Sequence, residues 1–242
     1  MNVIKKKLID LIKKNPDGIS LDKYIEVCLF GKNGYYNNSQ PIGSAGDYIT
    51  APEISQLFGE IIGFYIYNFW HKHFRCPFNL IELGPGNGTL ISDILRISRA
   101  YKIFVNSMTI NLIEINQKLI NLQKKILKKN NFDINKIIWS NNFDLIEQKP
   151  SIIFANEFFD CFATKQFIKI NGKWKEKKVN FNDKEKHFYI KNTSVDNILM
   201  NNKLDNYATK NHHNNEVLIE ISPSIGRFIA AFVSKFDLII EL

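Results

Sequence analysis

The residues best suited to chemistry begin in the segment Leu80-Ile81-Glu82-Leu83-Gly84-Pro85-Gly86-Asn87-Gly88. An apolar run enters three glycines at alternate positions, and an amphipathic stretch opens at Thr89. Glycine tolerates positive φ and lets a ligand approach the backbone closely. The free amides of a helix start attract an anionic or polar group. A dinucleotide site needs Gly-x-Gly-x-x-Gly, but Thr89 stands where that third glycine belongs. The spacing here, with Glu82 two residues upstream, suits a ligand that carries an ammonium and no pyrophosphate. The amino-acid end of S-adenosyl-L-methionine (SAM) has that chemistry. A glycine-rich bend with no ligand is the competing reading.

Two further groups belong to the same argument. Glu114 closes the next apolar run, where an acid in a nucleoside-binding α/β fold accepts hydrogen bonds from both ribose hydroxyls. Read alone, it is equally a solvated strand-end carboxylate. Asn156-Glu157-Phe158-Phe159-Asp160 follows a further apolar run. Its carboxylate and amide oxygens can orient the N–H groups of a nitrogen nucleophile, and a ring can pack against a transferring methyl. It stands in the place of the Asn-Pro-Pro-Tyr tetrapeptide of many amino-methyltransferases. The alternative is a loop with core phenylalanines and solvated acids.

The elements that must position these groups read as an alternation. Strands are expected over 78–83, 109–115, 136–139 and 151–155, with helices over 89–97 and 117–127, the latter capped by Asn116. Such alternation predicts an α/β fold with a mostly parallel sheet, and ligands bind such sheets outside the carboxyl ends of the strands. Upstream, a basic amphipathic helix ends at Asn15-Pro16-Asp17-Gly18, and Ser20 is placed to cap a helix over 21–28. Residues 31–46 read as an extended loop. Thr50 and Glu53 form a capping box that opens one wide-striped, deeply packed helix from Ile54 to near His71. Runs at 166–170, 173–179 and 187–190 predict a β-hairpin or small antiparallel insert, and 201–215 an exposed loop. A strand over 216–221, a helix after Ser222-Pro223 and a buried strand at 238–240 complete the chain. The expected divisions are 1–75 (helical and loop extension), 76–164 (Rossmann-like core), 165–221 (β-rich insert) and 222–242 (return to the core).

Composition bounds the function classes. The chain has 242 residues, 45% hydrophobic and 23% charged, and these proportions exclude a mainly disordered protein. The net charge is +8, yet only four of the 32 basic residues are arginine (Arg75, Arg96, Arg99 and Arg227). The lysines scatter, whereas a nucleic-acid footprint clusters its charge and uses arginine forks. No nucleic-acid partner is expected. Cys28, Cys76 and Cys161 are too widely spaced for a disulfide framework or a zinc site, so no metal is expected. No run reaches the ~18 apolar residues of a membrane span. The N-terminal helix carries Asp10 and no arginine, which favours a surface helix over a mitochondrial presequence. The abundance of Lys, Asn, Ile and Phe fits an AT-rich bacterial genome and a cytoplasmic protein, with the mitochondrial matrix as the alternative.

Taken together, the chain resembles the SAM-dependent methyltransferase family that includes the mitochondrial protein-arginine methyltransferase of complex I assembly and its bacterial (MidA) relatives. The resemblance rests on Gly34-Tyr35-Tyr36, on Gly46-Asp47-Tyr48-Ile49-Thr50-Ala51-Pro52-Glu53-Ile54-Ser55-Gln56-Leu57-Phe58-Gly59-Glu60 and on Glu82-Leu83-Gly84-Pro85-Gly86-Asn87-Gly88-Thr89-Leu90. It continues through Asn156-Glu157-Phe158-Phe159-Asp160, Gln166-Phe167 and Glu220-Ile221-Ser222-Pro223. After Asp160 the family usually continues Ala-Leu-Pro-Ile-Arg-Gln-Phe, where this chain has Cys161-Phe162-Ala163-Thr164-Lys165-Gln166-Phe167. The family also extends past Leu242, so the late strands of its sheet are expected to be missing.

The resemblance implies a Rossmann-like class I methyltransferase sheet and methyl transfer from SAM to an arginine of a protein, in the family's best-known case the 49-kDa subunit of respiratory complex I. It implies Glu82, Gly84, Gly86, Gly88 and Glu114 as cofactor-binding residues. Glu157, with Asp160 and Asn156, is the implied catalytic group, and Asp47 and Phe159 are candidates for a lid or substrate contact. The rival expectations are a non-catalytic assembly protein or inactive remnant of that family, and a nicotinamide oxidoreductase, which the glycine spacing disfavours.

Overall fold

The computed structural model describes residues 3–38, 43, 46–211 and 217–235. In chain order the elements are α1 (Val3–Lys13), β1 (Ile19–Ser20), α2 (Leu21–Phe30), α3 (Tyr35–Asn38), α4 (Ala51–Ile54) and α5 (Gln56–His73). Then come β2 (Phe78–Leu83), α6 (Thr89–Ser98), α7 (Lys102–Ser107), β3 (Met108–Ile113), α8 (Gln117–Lys129), β4 (Ile137–Ser140) and β5 (Ser151–Ala155). The rest are β6 (Lys165–Ile170), β7 (Lys173–Asn182), β8 (His187–Ser194), α9 (Ile198–Asn211), β9 (Val217–Ile221) and α10 (Pro223–Val233). The expected strand at 238–240 lies outside the described residues.

Two compact units divide the chain, residues 1–38 with 162–227 and residues 39–161 with 228–242. These boundaries differ from the segments expected from the sequence, because α5 packs with the parallel sheet's helices while α1 and α2 pack with the β-rich part.

The second unit is the α/β unit. Its sheet runs in the order β4-β3-β2-β5, and every pair is parallel. β2 lies between two neighbours and is buried at every position, which is why it reads as a continuous apolar run. Strand alternation sends Phe78 and Leu80 to one face, where they join Ile66, Trp70, Ile91, Ile94, Phe104 and Leu112. Ile81 and Leu83 take the other face, against Ile113, Ile146, Phe158, Phe228 and Phe232.

The single helix expected after Thr50 is two. The chain is extended at Ser55 (φ −145°, ψ 122°), and the Ser55 side chain accepts from the Leu57 amide to start α5. Thr50 makes no side-chain cap: the Glu53 amide donates to the Thr50 carbonyl instead, and the Glu53 carboxylate reaches Thr89 rather than closing a capping box. α5 is also less deeply packed than its wide stripe implied. It meets α6 through Gly59 and Gly63, where an added Cβ would lie 2.5 Å from Asp93 Cβ and 2.6 Å from Ile97 Cγ2. That small-residue contact turns Leu57, Ile61, Phe64 and Tyr65 outward, each at least half exposed. Arg96 ties the pair with 3.1 Å contacts to Glu60 and Asp93.

The first unit holds an antiparallel sheet, β1-β7-β6-β9, with β8 also paired to β7. Ser20 does not cap α2 with its side chain; it lies in β1, opposite Lys178. α1 and α2 cover the sheet through Leu8, Ile12, Val27 and Val179. The loop expected over 201–215 is helical through Asn211. Met200, Leu204 and Ala208, four residues apart, pack on Phe167, Trp174 and Val217, and Asp205 Oδ1 accepts from Trp174 Nε1 at 2.9 Å. The polar residues that suggested a loop are this helix's solvated face. Among the described residues no helix is long and apolar enough to cross a membrane.

Candidate functional site

The site lies within the α/β unit, at the carboxyl edge of its sheet. Leu83 pairs in register with Ile113 of β3 and Ala155 of β5, so three strands end level. The Gly84 amide donates to the Ile113 carbonyl at 3.0 Å, and the Glu114 amide donates to the Ser140 carbonyl at 2.9 Å. The glycine bend, Glu114 and the 156–160 segment therefore leave adjacent strands on one edge.

Gly84, Gly86 and Gly88 have φ of +61°, +55° and +85°, conformations that cost an L side chain about 1–2 kcal/mol each. Gly88 caps α6 in the left-handed region. A Cβ on Gly84 would lie 2.7 Å from the Phe158 ring, and one on Gly88 would lie 3.1 Å from Gln123 Cγ. The bend is thus held on one side by the 156–160 segment and on the other by α8.

Glu82 shares the face of Phe78 and Leu80 and is only 2% exposed. Its Oε2 is buried with no hydrogen-bond partner among the described residues. Burial, reinforced by the Glu114 charge, pushes its carboxyl up to about 8. Glu114 is differently held. Its Oε1 accepts from the amides of Ile115 (2.9 Å) and Asn116 (2.8 Å), and its Oε2 from Gln123 Nε2 at 3.4 Å. Burial raises its pKa, partly offset by those three donors. Oε1 thus has two backbone donors, whereas Oε2 has the single 3.4 Å contact and keeps capacity for a further donor.

In the 156–160 segment, Asn156 and Phe158 are half-buried, while Glu157, Phe159 and Asp160 are exposed. Phe158 packs edge-on to Phe159, with ring centroids 5.3 Å apart, and tilted against Phe228 at 5.5 Å. Glu157 has φ +47°, a left-handed backbone rare for a non-glycine residue and common at functional turns. Among the described residues no hydrogen bond or ion pair holds its carboxylate. Cys161 Sγ donates to the Phe158 carbonyl at 2.9 Å. Burial and the adjacent Asp160 push that thiol up to about 11, which keeps it out of nucleophilic chemistry.

Sequence reasoning missed two residues. Glu53 Oε1 accepts from Thr89 Oγ1 at 2.5 Å and from Asn87 Nδ2 at 3.4 Å, which ties the loop before α5 to the bend. Gln123 links the Gly86 carbonyl (2.8 Å) to Glu114. Its signal was present, a lone polar residue between Leu119 and Leu127 on the buried stripe of α8. Asp47 is exposed on the chain between Gly43 and Glu53.

The arrangement fits SAM on its own terms. A buried carboxyl oxygen lacks a partner among the described residues, beside a bend that side chains would fill, and an adjacent acid keeps capacity for a further donor on one oxygen.

Known proteins agree. The family described as "Putative S-adenosyl-L-methionine-dependent methyltransferase" matches residues 61–238. The Bos taurus protein arginine methyltransferase NDUFAF7, mitochondrial, is 32% identical over 184 residues, 67% of this chain and 42% of the bovine protein. The Caenorhabditis elegans homolog is 32% identical over 203 residues, 74% of this chain and 46% of its own length. The chain therefore spans under half the length of these relatives. A Burkholderia thailandensis "likely methyl transferase" solved with S-adenosyl-homocysteine shares the fold at TM-score 0.81 and 19% identity, covering 96% of this chain and 59% of that one. With a level-ended parallel sheet, a glycine bend between two acids and this degree of identity, the chain belongs to the SAM-dependent methyltransferase family of the mitochondrial protein arginine methyltransferases.

Proposed function

We propose that this chain methylates a guanidinium nitrogen of a protein arginine, with a 49-kDa-type subunit of respiratory complex I as the substrate. The observation that carries the reading is the level ending of β2, β3 and β5, which puts the bend, Glu114 and residues 156–160 on one edge. When bound, SAM supplies a sulfonium methyl open to in-line displacement, the sulfur keeping the electron pair of the broken bond.

The protein's own groups do the rest. Glu82 would hold the ammonium of the methionine end, and Glu114 Oε2 would accept from a ribose hydroxyl. Glu157, exposed and with no partner among the described residues, takes a guanidinium in paired charge-assisted hydrogen bonds, with Asp160 behind it and Asn156 beside it. Phe159, at 39% exposure, borders the acceptor. A guanidinium is a poor nucleophile because its pKa exceeds about 12. A carboxylate that polarises the nitrogen and accepts its proton as the N–C bond forms removes that obstacle. Positioning at ~3–3.5 Å supplies much of the acceleration.

The test is purified protein with radiolabelled SAM and the complex I subunit. Label on arginine that disappears in Glu157→Ala and Gly86→Val supports the assignment. Label unchanged in both refutes the roles given to these residues. Ligand binding without label transfer would favour an assembly role.

A further inference from the structure

Gln123 is fully buried on α8. Its amide nitrogen donates to the Gly86 carbonyl and to Glu114 Oε2, and its oxygen accepts from Trp139 Nε1 at 2.9 Å. An indole N–H only donates and a carbonyl only accepts, so the partners permit one orientation of the amide. The side-chain stem is fixed as well, because it abuts Gly88. Gln123 therefore touches the middle glycine of the bend, its last glycine and the acid after β3.

Glu114 shows why that matters. Its Oε1 is pinned by two backbone amides. Among the described residues, Gln123 is the group that donates to Oε2. We propose that Gln123 is a positioning residue for the nucleoside. It orients Glu114 Oε2 together with the Gly86 carbonyl, and so sets how well the site distinguishes a ribose from a sugar without hydroxyls. This rests on the cofactor reading above and extends it to a residue that does not itself touch the ligand. An apolar residue of similar volume frees Oε2 and leaves the Trp139 N–H and the Gly86 carbonyl unpaired, which costs more than the bonds alone.

The experiment compares S-adenosylhomocysteine with its 2′,3′-dideoxy analogue by calorimetry, on the wild-type chain, Gln123→Met and Trp139→Phe. Wild type should prefer the hydroxylated ligand about ten- to hundredfold, the range for a hydrogen bond to a charged group. Gln123→Met should reduce that ratio to roughly threefold or less, well below the worth of such a bond. Trp139→Phe keeps Gln123 but removes the donor that fixes its amide, so its ratio should fall between the two. General loosening of the fold weakens both ligands alike and leaves the ratio intact. A wild-type ratio retained in both variants overturns the inference alone. A wild-type chain that binds no S-adenosylhomocysteine overturns the cofactor reading and the inference with it.

Discussion

At the scale of single residues, Glu82 is the most consequential group. Its carboxyl is raised to about 8 by burial and by Glu114, against 4.5 in the unfolded chain. The folded state therefore holds a proton that the unfolded state releases between those values. Its contribution to stability is complete below about 4.5 and lost as the pH rises through about 8. Thermal unfolding of the ligand-free protein should fall across that window, and Glu82→Gln should flatten the fall and raise Tm at pH 8 by roughly 5 °C. An unchanged slope in the variant would show that Glu82 is not the titrating group. An ammonium beside Glu82 favours its charged form, so SAM binding near pH 7 should release a proton. Calorimetry in buffers of different ionisation heat measures that release, which Glu82→Gln should abolish. Gly84→Ala tests the bend itself. Positive φ and the Phe158 ring 2.7 Å from the new Cβ should weaken ligand binding by at least about tenfold, since overpacking costs roughly 1–3 kcal/mol.

At the scale of elements, two helix starts set the site. α8 begins at Asn116, whose side chain accepts from the Lys118 amide at 2.9 Å. Asn116→Ala should destabilise the chain by about 1 kcal/mol in urea unfolding. α6 begins at Gly88, and its first residue donates to Glu53. A carboxylate suits the positive end of a helix, so Glu53 both ties the 46–60 block to the bend and complements the α6 dipole. Glu53→Ala should cost about 1–2 kcal/mol and weaken SAM binding several-fold. Wild-type affinity in that variant would show that Glu53 has no part in cofactor binding.

At the scale of the whole molecule, each unit has its own core. Ile81, Leu83 and Ile113 lie under the site, whereas Phe167, Trp174 and Leu204 belong to the β-rich unit. If Glu82, Glu114 and the bend hold the ligand, it stabilises the parts it contacts and those that open with them. Hydrogen exchange with and without S-adenosylhomocysteine should therefore slow amides over 78–90 and 108–118 and leave 165–194 unchanged. Equal slowing in both regions would mean that the two units open together.

The sequence by itself determined the parallel sheet, the glycine bend and the order of the acids, because continuous apolar runs and alternate glycines are local patterns with few structural solutions. β5 falls at the expected 151–155 and Asn116 caps α8 as read. Other features depended on partners remote in sequence. The Glu53 carboxylate reaches Thr89 rather than closing a box with Thr50, and α9 forms because Leu204 and Ala208 find Trp174 and Val217. Gln123 gained its part only when α8 was laid beside the bend. Only the tertiary structure decided which oxygen of Glu114 has the fewer donors and that burial raises the Glu82 carboxyl. Burial and hydrogen-bond direction, unlike periodicity, are properties of what surrounds a residue.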